Sequence, residues 1–148
     1  MNRDLYIVDD SADHQFLMYK LLKDSVTPYP IKFFESGQAL YRHIQILVQT
    51  SKPDFLPALI ILDLNMPGMN GIGLLKLLRQ ISKANNLEIP EIPVVIMSSD
   101  ISSDQINQCY QAGANAVVVK PFDYNQMKNT VLSICRFWIR NQDSVLNV

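Results

Sequence analysis

No sign of charge dominates this chain. Its 148 residues carry 13 Lys and Arg against 14 Asp and Glu, a formal net charge of −1, and charged residues make up only 18% of it. Nucleic-acid binders usually carry a basic patch or a high pI, so no nucleic-acid partner is expected. Long apolar runs are also missing. The longest, Ala58-Leu59-Ile60-Ile61-Leu62, falls far short of the roughly 20 residues that cross a bilayer. The opening Met1-Asn2-Arg3-Asp4 runs almost at once into a strand-like segment, without the apolar stretch and cleavage site of a secretory signal. The expectation is a cytoplasmic protein that makes no use of a membrane.

Cysteine is scarce as well. Cys109 and Cys135 form no Cys-x-x-Cys, both fall in helical patterns, and neither His14 nor His43 stands at ligand spacing from them. A zinc site is therefore not expected, and the two thiols read as small core or surface groups. No repeat, low-complexity run or Gly/Ser/Pro-rich linker divides the chain, so one domain is expected. Apolar residues, at 48%, supply ample material for its core; a domain of this length buries about 68–70% of the surface its unfolded chain exposes.

What the sequence does contain is an alternation. Short runs rich in Val, Ile and Leu lie at Leu5–Val8, Ile31–Phe34, Ala58–Leu62, Val94–Met97 and Ala116–Val119. Most are apolar at every position, the mark of strands covered on both faces and hence of a parallel sheet between helices. Lys32 makes the second run the most edge-like. Between the runs, apolar residues recur at helical spacing over about Ala12–Asp24, Gly37–Thr50, Gly71–Ser82, Ser103–Ala112 and Tyr124–Arg140. Strands alternating with helices give a doubly wound open α/β sheet. Its functional crevice lies beyond the carboxyl ends of the strands.

The residues at those ends carry chemistry. Asp9 and Asp10 follow the first strand, Asp63 the third, Ser98, Ser99 and Asp100 the fourth, and Lys120 the fifth. Each alone reads as a helix cap or a surface group; together they place three acids, a hydroxyl and a lysine on one rim. Crowded carboxylates stay ionised only beside a proton or a cation, and an oxygen-rich set with few protein ligands suits Mg²⁺. A carboxylate can also attack phosphorus to form an aspartyl phosphate, with Lys120 and Ser98 suited to hold phosphoryl oxygens.

Here the sequence resembles the receiver domain of two-component response regulators over nearly its whole length. The resemblance rests on Val8-Asp9-Asp10, on Leu62-Asp63-Leu64-Asn65-Met66-Pro67-Gly68-Met69-Asn70-Gly71, on Met97-Ser98-Ser99 and on Val119-Lys120-Pro121-Phe122. It implies a flavodoxin-like (βα)5 three-layer sandwich with parallel strands in the order 2-1-3-4-5, a receiver domain over residues 1–141, a tail over 142–148 and no effector domain. It implies Asp63 as phosphoacceptor and Asp10, Asp63 and the Asn65 backbone carbonyl as Mg²⁺ ligands, with Asp9 acting through water. Ser98 becomes the hydroxyl that moves toward the acyl phosphate, Lys120 its counter-ion, and Lys120-Pro121 a cis peptide. Asn65 and Asp100 flank the path of the hydrolytic water. The implied partner is a sensor histidine kinase or a histidine phosphotransfer protein, and the implied role is that of a phosphoacceptor rather than a turnover enzyme.

One position departs from the family pattern. Three residues before the lysine, where many receivers carry Tyr or Phe, stands Val117. A β-branched aliphatic cannot swing a ring, so the aromatic half of the family's switch is missing while the Ser98 half remains. Output is expected by contact, through the face of the fourth helix, fifth strand and fifth helix. The ending Phe137-Trp138-Ile139 offers apolar surface there for a homodimer, and Phe137-Trp138 resembles the ending of stand-alone receivers paired with phytochrome-type kinases. Other uses of the pattern fit less well. Asp9-Asp10-Ser11-Ala12-Asp13 would repel a flavin phosphate, and a dehalogenase-type phosphatase wants an acid where Asn65 stands. The alternative from another class is a pseudo-receiver, a docking module that works without phosphorylation.

Overall fold

The computed structural model describes residues 4–25, 29–50, 52–64, 70–84 and 91–146. The short runs rich in Val, Ile and Leu form strands β1 (Leu5–Val8), β2 (Ile31–Phe34), β3 (Leu59–Asp63), β4 (Val94–Ser98) and β5 (Ala116–Val119). They pair in parallel in the order β2-β1-β3-β4-β5. The helical stretches form α1 (Ala12–Asp24), α2 (Gly37–Gln49), α3 (Gly71–Ala84), α4 (Ser103–Gln111) and α5 (Tyr124–Leu146), with a 3₁₀ turn over Pro53–Phe55. This is the flavodoxin-like sandwich expected from the sequence.

Side chains alternate across a strand, and the alternation sorts two cores. Tyr6, Val8, Ile60, Leu62, Val94 and Ile96 pack with α2, α3 and α4. Leu5, Ile7, Leu59, Ile61, Val95 and Met97 pack with α1 and α5. The central strands are buried at nearly every position, whereas β2, at the edge, is half-buried throughout except for the exposed Lys32. Cys109 and Cys135 are free and buried, one in each layer. Burial pushes the Cys135 thiol up to about 12.

Serines start three helices. Ser11, Ser36 and Ser102 accept hydrogen bonds from the backbone N–H groups of His14, Ala39 and Gln105, each satisfying an orphan donor of a first turn. At Ser102 the Gln105 side chain returns the bond, closing a capping box. Gly71 lets α3 start tightly behind β3, since a Cβ there would stand 3.0 Å from the Leu64 Cα and 3.1 Å from the Asp63 carbonyl oxygen.

The amino end of the sheet is tied by one side chain. Arg79 on α3 donates to the Ile92 carbonyl (2.7 Å), the Gly113 carbonyl (2.8 Å) and Asn115 Oδ1 (3.0 Å). Gly113 has φ 109°, a left-handed value that favours glycine. Burial holds the Arg79 guanidinium below its usual range, partly opposed by Glu91 at 3.3 Å. In the same layer's interior, Tyr6 Oη lies 3.0 Å from His43 Nε2. Burial, then the charge of Asp4, raises the Tyr6 phenol to about 12. Burial, then Lys32, lowers His43 below its ordinary value.

Helix α5 runs to Leu146, past the end expected near Arg140, because no Gly or Pro stops it. Its apolar side faces inward: Ile139 is only 1% exposed and belongs to the α1/α5 core, so it is not available as dimer surface as the sequence suggested. Trp138 is half-buried against the same core and stacks edge-on with Phe137 at 4.9 Å, leaving Phe137 as the exposed member. No helix among the described residues is long and apolar enough to cross a membrane.

Candidate functional site

The alternation that sorts the cores also builds the site. Asp9 continues the parity of Leu5 and Ile7, Asp63 that of Leu59 and Ile61, and Lys120 that of Ala116 and Val118. All three therefore emerge on the α1/α5 side, at the carboxyl rim. Lys120 Nζ lies 3.3 Å from Asp9 Oδ2 and 3.5 Å from Asp63 Oδ2. The Lys120 backbone N–H donates to the Ser98 carbonyl (2.9 Å), extending the β4–β5 pairing to the rim.

Asp9 is buried, at 4% exposure. Its Oδ1 accepts the Ser11 backbone N–H at 2.9 Å, and its carbonyl oxygen accepts Gln15 Nε2 at 2.6 Å. Those bonds leave Oδ2 facing Lys120 and the imidazole of His14, whose Nδ1 is 3.4 Å away. Asp10 is exposed and Asp63 half-buried, and carboxylate oxygens of Asp9, Asp10 and Asp63 lie within 4.8 Å of one another. Three carboxylates around one ammonium leave an excess of negative charge, which a divalent cation would neutralise. The donor set is oxygen-rich and solvent-accessible through Asp10, which fits a hard ion that keeps some of its waters.

Ser98 has the opposite parity. It sits on the α4 side of β4, fully buried, and its hydroxyl donates to the Asp100 carbonyl at 3.3 Å. It follows Met97, the register partner of Asp63, so one residue of β4 separates it from the acids. Asp100 is exposed beyond it. Val117 is half-buried against the α2–α4 layer. Asn65 lies outside the described residues.

The Lys120–Pro121 peptide is trans, since there is no cis bond among the described residues. This corrects the cis expectation: trans is the favoured X-Pro state, and the lysine reaches both acids from it. Beneath the site lies a cavity of about 380 Å³ with walls that include Leu17, Met18, Met97 and Met127. Phe122, almost wholly exposed, stands at its mouth.

His14 is the site residue that the sequence did not reveal. A lone histidine in a first helical turn, away from ligand spacing to either cysteine, carries no spacing signal. Only the pairing of distant strands brings residue 120 beside it.

A sequence model described as the response regulator receiver domain matches residues 5–132. The chemotaxis protein CheY-3 of Vibrio cholerae is 32% identical over 127 residues, which covers 86% of this chain and 87% of that protein. Among solved structures, the Mn²⁺-bound form of response regulator Rcp1 aligns with TM-score 0.69 at 23% identity, over 93% of this chain and 94% of that one. The receiver domain of Ssk1 from Saccharomyces cerevisiae, crystallised with the histidine phosphotransfer protein Ypd1, aligns with TM-score 0.75 at 18% identity, over 95% and 91%. At such identities the two structures speak for the fold.

Proposed function

The chain belongs to the response regulator receiver domain family, and from that premise we propose that it is a phosphorelay protein whose Asp63 accepts a phosphoryl group from the phosphohistidine of a sensor kinase or phosphotransfer protein. An Asp63 carboxylate oxygen attacks phosphorus in line. The P–O bond forms as the P–N bond breaks, and the leaving electron pair stays on the imidazole nitrogen. The observation that carries this reading is the placement of Lys120 Nζ 3.5 Å from Asp63 Oδ2, within a cluster of three carboxylates. Lys120 is in reach of an oxygen of the transferred group, where its fixed charge counts most.

Mg²⁺ is the proposed cofactor, held by Asp10, Asp63 and the Asn65 carbonyl with Asp9 through water; when bound it spreads the charge of the transferring group. The Mn²⁺-bound Rcp1 supports a divalent ion in this fold. The product carries a charge of about −2 where a carboxylate had −1. Lys120 and the Ser98 hydroxyl are drawn toward it, and Ser98 gives up the Asp100 carbonyl. That shifts the face of α4, β5 and α5, which signals by contact. Phe137, Tyr110 and Val119 are exposed on these elements and offer the surface for a homodimer, tested by scattering mass with and without beryllofluoride. A monomer in both would remove the dimer.

The experiment is phosphoryl uptake from acetyl phosphate or a phosphohistidine donor with Mg²⁺. Wild type takes up acid-labile label, also released by base and hydroxylamine as expected of an acyl phosphate, in proportion to protein, and Asp63→Asn takes up none. Label in Asp63→Asn equal to wild type overturns the assignment, and a wild type that never labels but still binds its partner is the docking module instead.

A further inference from the structure

An ammonium group has three N–H donors and no acceptor. Lys120 Nζ stands beside three partners: Asp9 Oδ2, to which it donates at 3.3 Å, Asp63 Oδ2, its ion-pair partner at 3.5 Å, and His14 Nδ1 at 3.5 Å. The lysine side chain is only 14% exposed, so bulk water is a poor substitute for any of them. From this geometry we infer that His14 is a positioning residue for Lys120, an assignment that rests on the reading of Asp63 as phosphoacceptor.

His14 is held by the same loop that holds Asp9. Asp9 Oδ1 accepts the Ser11 N–H at 2.9 Å, and Ser11 Oγ accepts the His14 N–H at 3.3 Å. The first turn of α1 is thus tied to the carboxylate that Lys120 also contacts, which keeps the His14 backbone beside it. Nδ1 stands 3.4 Å from Asp9 Oδ2 as well, but one ring nitrogen cannot both donate to the carboxylate and accept from the ammonium. With its hydrogen on Nε2 the ring lets Nδ1 accept from Lys120, and the half-exposed ring leaves Nε2–H to solvent.

Two of the three partners, Asp9 and His14, are untouched by phosphoryl transfer. The third, Asp63, is the one that reacts. Asp9 and His14 therefore fix two of the ammonium's donors and aim the remaining one at the place where phosphoryl oxygens arrive. Without His14 the ammonium swings between Asp9 and Asp63 with one side unheld and meets the transferring group less often in the productive direction. A slowing of about 3- to 10-fold is expected, short of the roughly 100-fold that a 1 Å misplacement can cost.

The test uses the full chain, acetyl phosphate and Mg²⁺, with His14→Leu and His14→Asn. Both keep the backbone N–H that Ser11 caps, and Asn presents an oxygen close to where Nδ1 stands. His14→Leu should label about 3- to 10-fold more slowly with Mg²⁺ affinity within about twofold of wild type, and His14→Asn should recover most of the rate. Hydrogen exchange of the Lys120 ammonium, read by ¹⁵N NMR in the unphosphorylated protein, should quicken in His14→Leu and not in His14→Asn. Wild-type labelling in His14→Leu overturns the inference. So does equal slowing in both variants, or a matching loss of Mg²⁺ affinity, which would make His14 a ligand. If wild type itself does not label, the phosphoacceptor reading fails, and the ammonium exchange alone decides whether His14 holds Lys120.

Discussion

The hydroxyl of Tyr110, on α4, accepts a hydrogen bond from the backbone N–H of Val117, on the edge strand β5, at 3.2 Å. Val117 is the position where the family resemblance led one to look for an aromatic ring. A ring reaches this position from the neighbouring helix instead, and its partner is the main chain. It also covers an amide on the outer edge of the sheet, beyond which no further strand lies among the described residues. Tyr110→Phe keeps the ring and removes the acceptor. The Val117 amide should then exchange about 5- to 10-fold faster, for a bond worth roughly 1 kcal/mol. Unchanged exchange would show that the contact does not persist in solution.

Lys120→Met removes an ammonium from among three carboxylates and leaves their negative charge in place. Two effects of opposite sign should result. Divalent-ion affinity rises, by about tenfold on Coulombic grounds, and phosphoryl uptake from acetyl phosphate falls by roughly 100-fold, as when one transition-state donor is lost. Isothermal titration with Mg²⁺ and a labelling time course read the two separately. A fall in both would mean that Lys120 holds the acids in place rather than opposing them.

The Tyr6–His43 pair makes stability depend on pH in a defined sense. His43 is lowered below its ordinary value in the fold by burial, then by Lys32. Below about 6.5 the unfolded chain therefore binds more protons at this residue than the folded one does. The stabilisation due to neutral His43 is present above that pH and is lost as pH falls through it. The melting temperature should drop between pH 7.5 and 5.5, and drop less in His43→Leu. Tyr6 acts at the other end: with the phenol raised to about 12, its contribution holds below pH 10 and is lost as pH climbs toward 12. Equal acid slopes in wild type and His43→Leu would discard the histidine as the cause.

Arg79→Met strands two backbone carbonyls, of Ile92 and Gly113, and the Asn115 side chain that accepts the Val94 N–H. Loss of about 2–4 kcal/mol is expected from unsatisfied buried acceptors, measured by chemical denaturation. Arg79→Lys should recover little, because one ammonium cannot span a fork of acceptors on two loops.

Much of this was legible before the structure. Short runs of strand-favouring apolar residues located β1, β2 and β5 to the residue. The acids, Ser98 and Lys120 were found because topology alone requires strand ends to share a rim. Features decided by short local geometry were not legible. Three residues of 3₁₀ turn at Pro53–Phe55 are too few to show a period, and the end of α5 carries polar residues but no helix breaker. Burial of Ile139 depends on which side of α5 meets the core, which the two overlapping apolar sets on that helix left open. His14 needed a contact across more than a hundred residues, and no local pattern encodes that.

The parity of β4 and β5 has one more consequence. Lys120 and Ser98 are bound to each other through the main chain yet belong to opposite layers of the sandwich. A single chemical mark on Asp63 would therefore pull on both slabs of helix at once, from a hinge no wider than one backbone hydrogen bond. Substitutions confined to α1 and α5 would adjust how the mark is received, and those confined to α4 how it is announced, so that evolution or an engineer could retune either without rewriting the other.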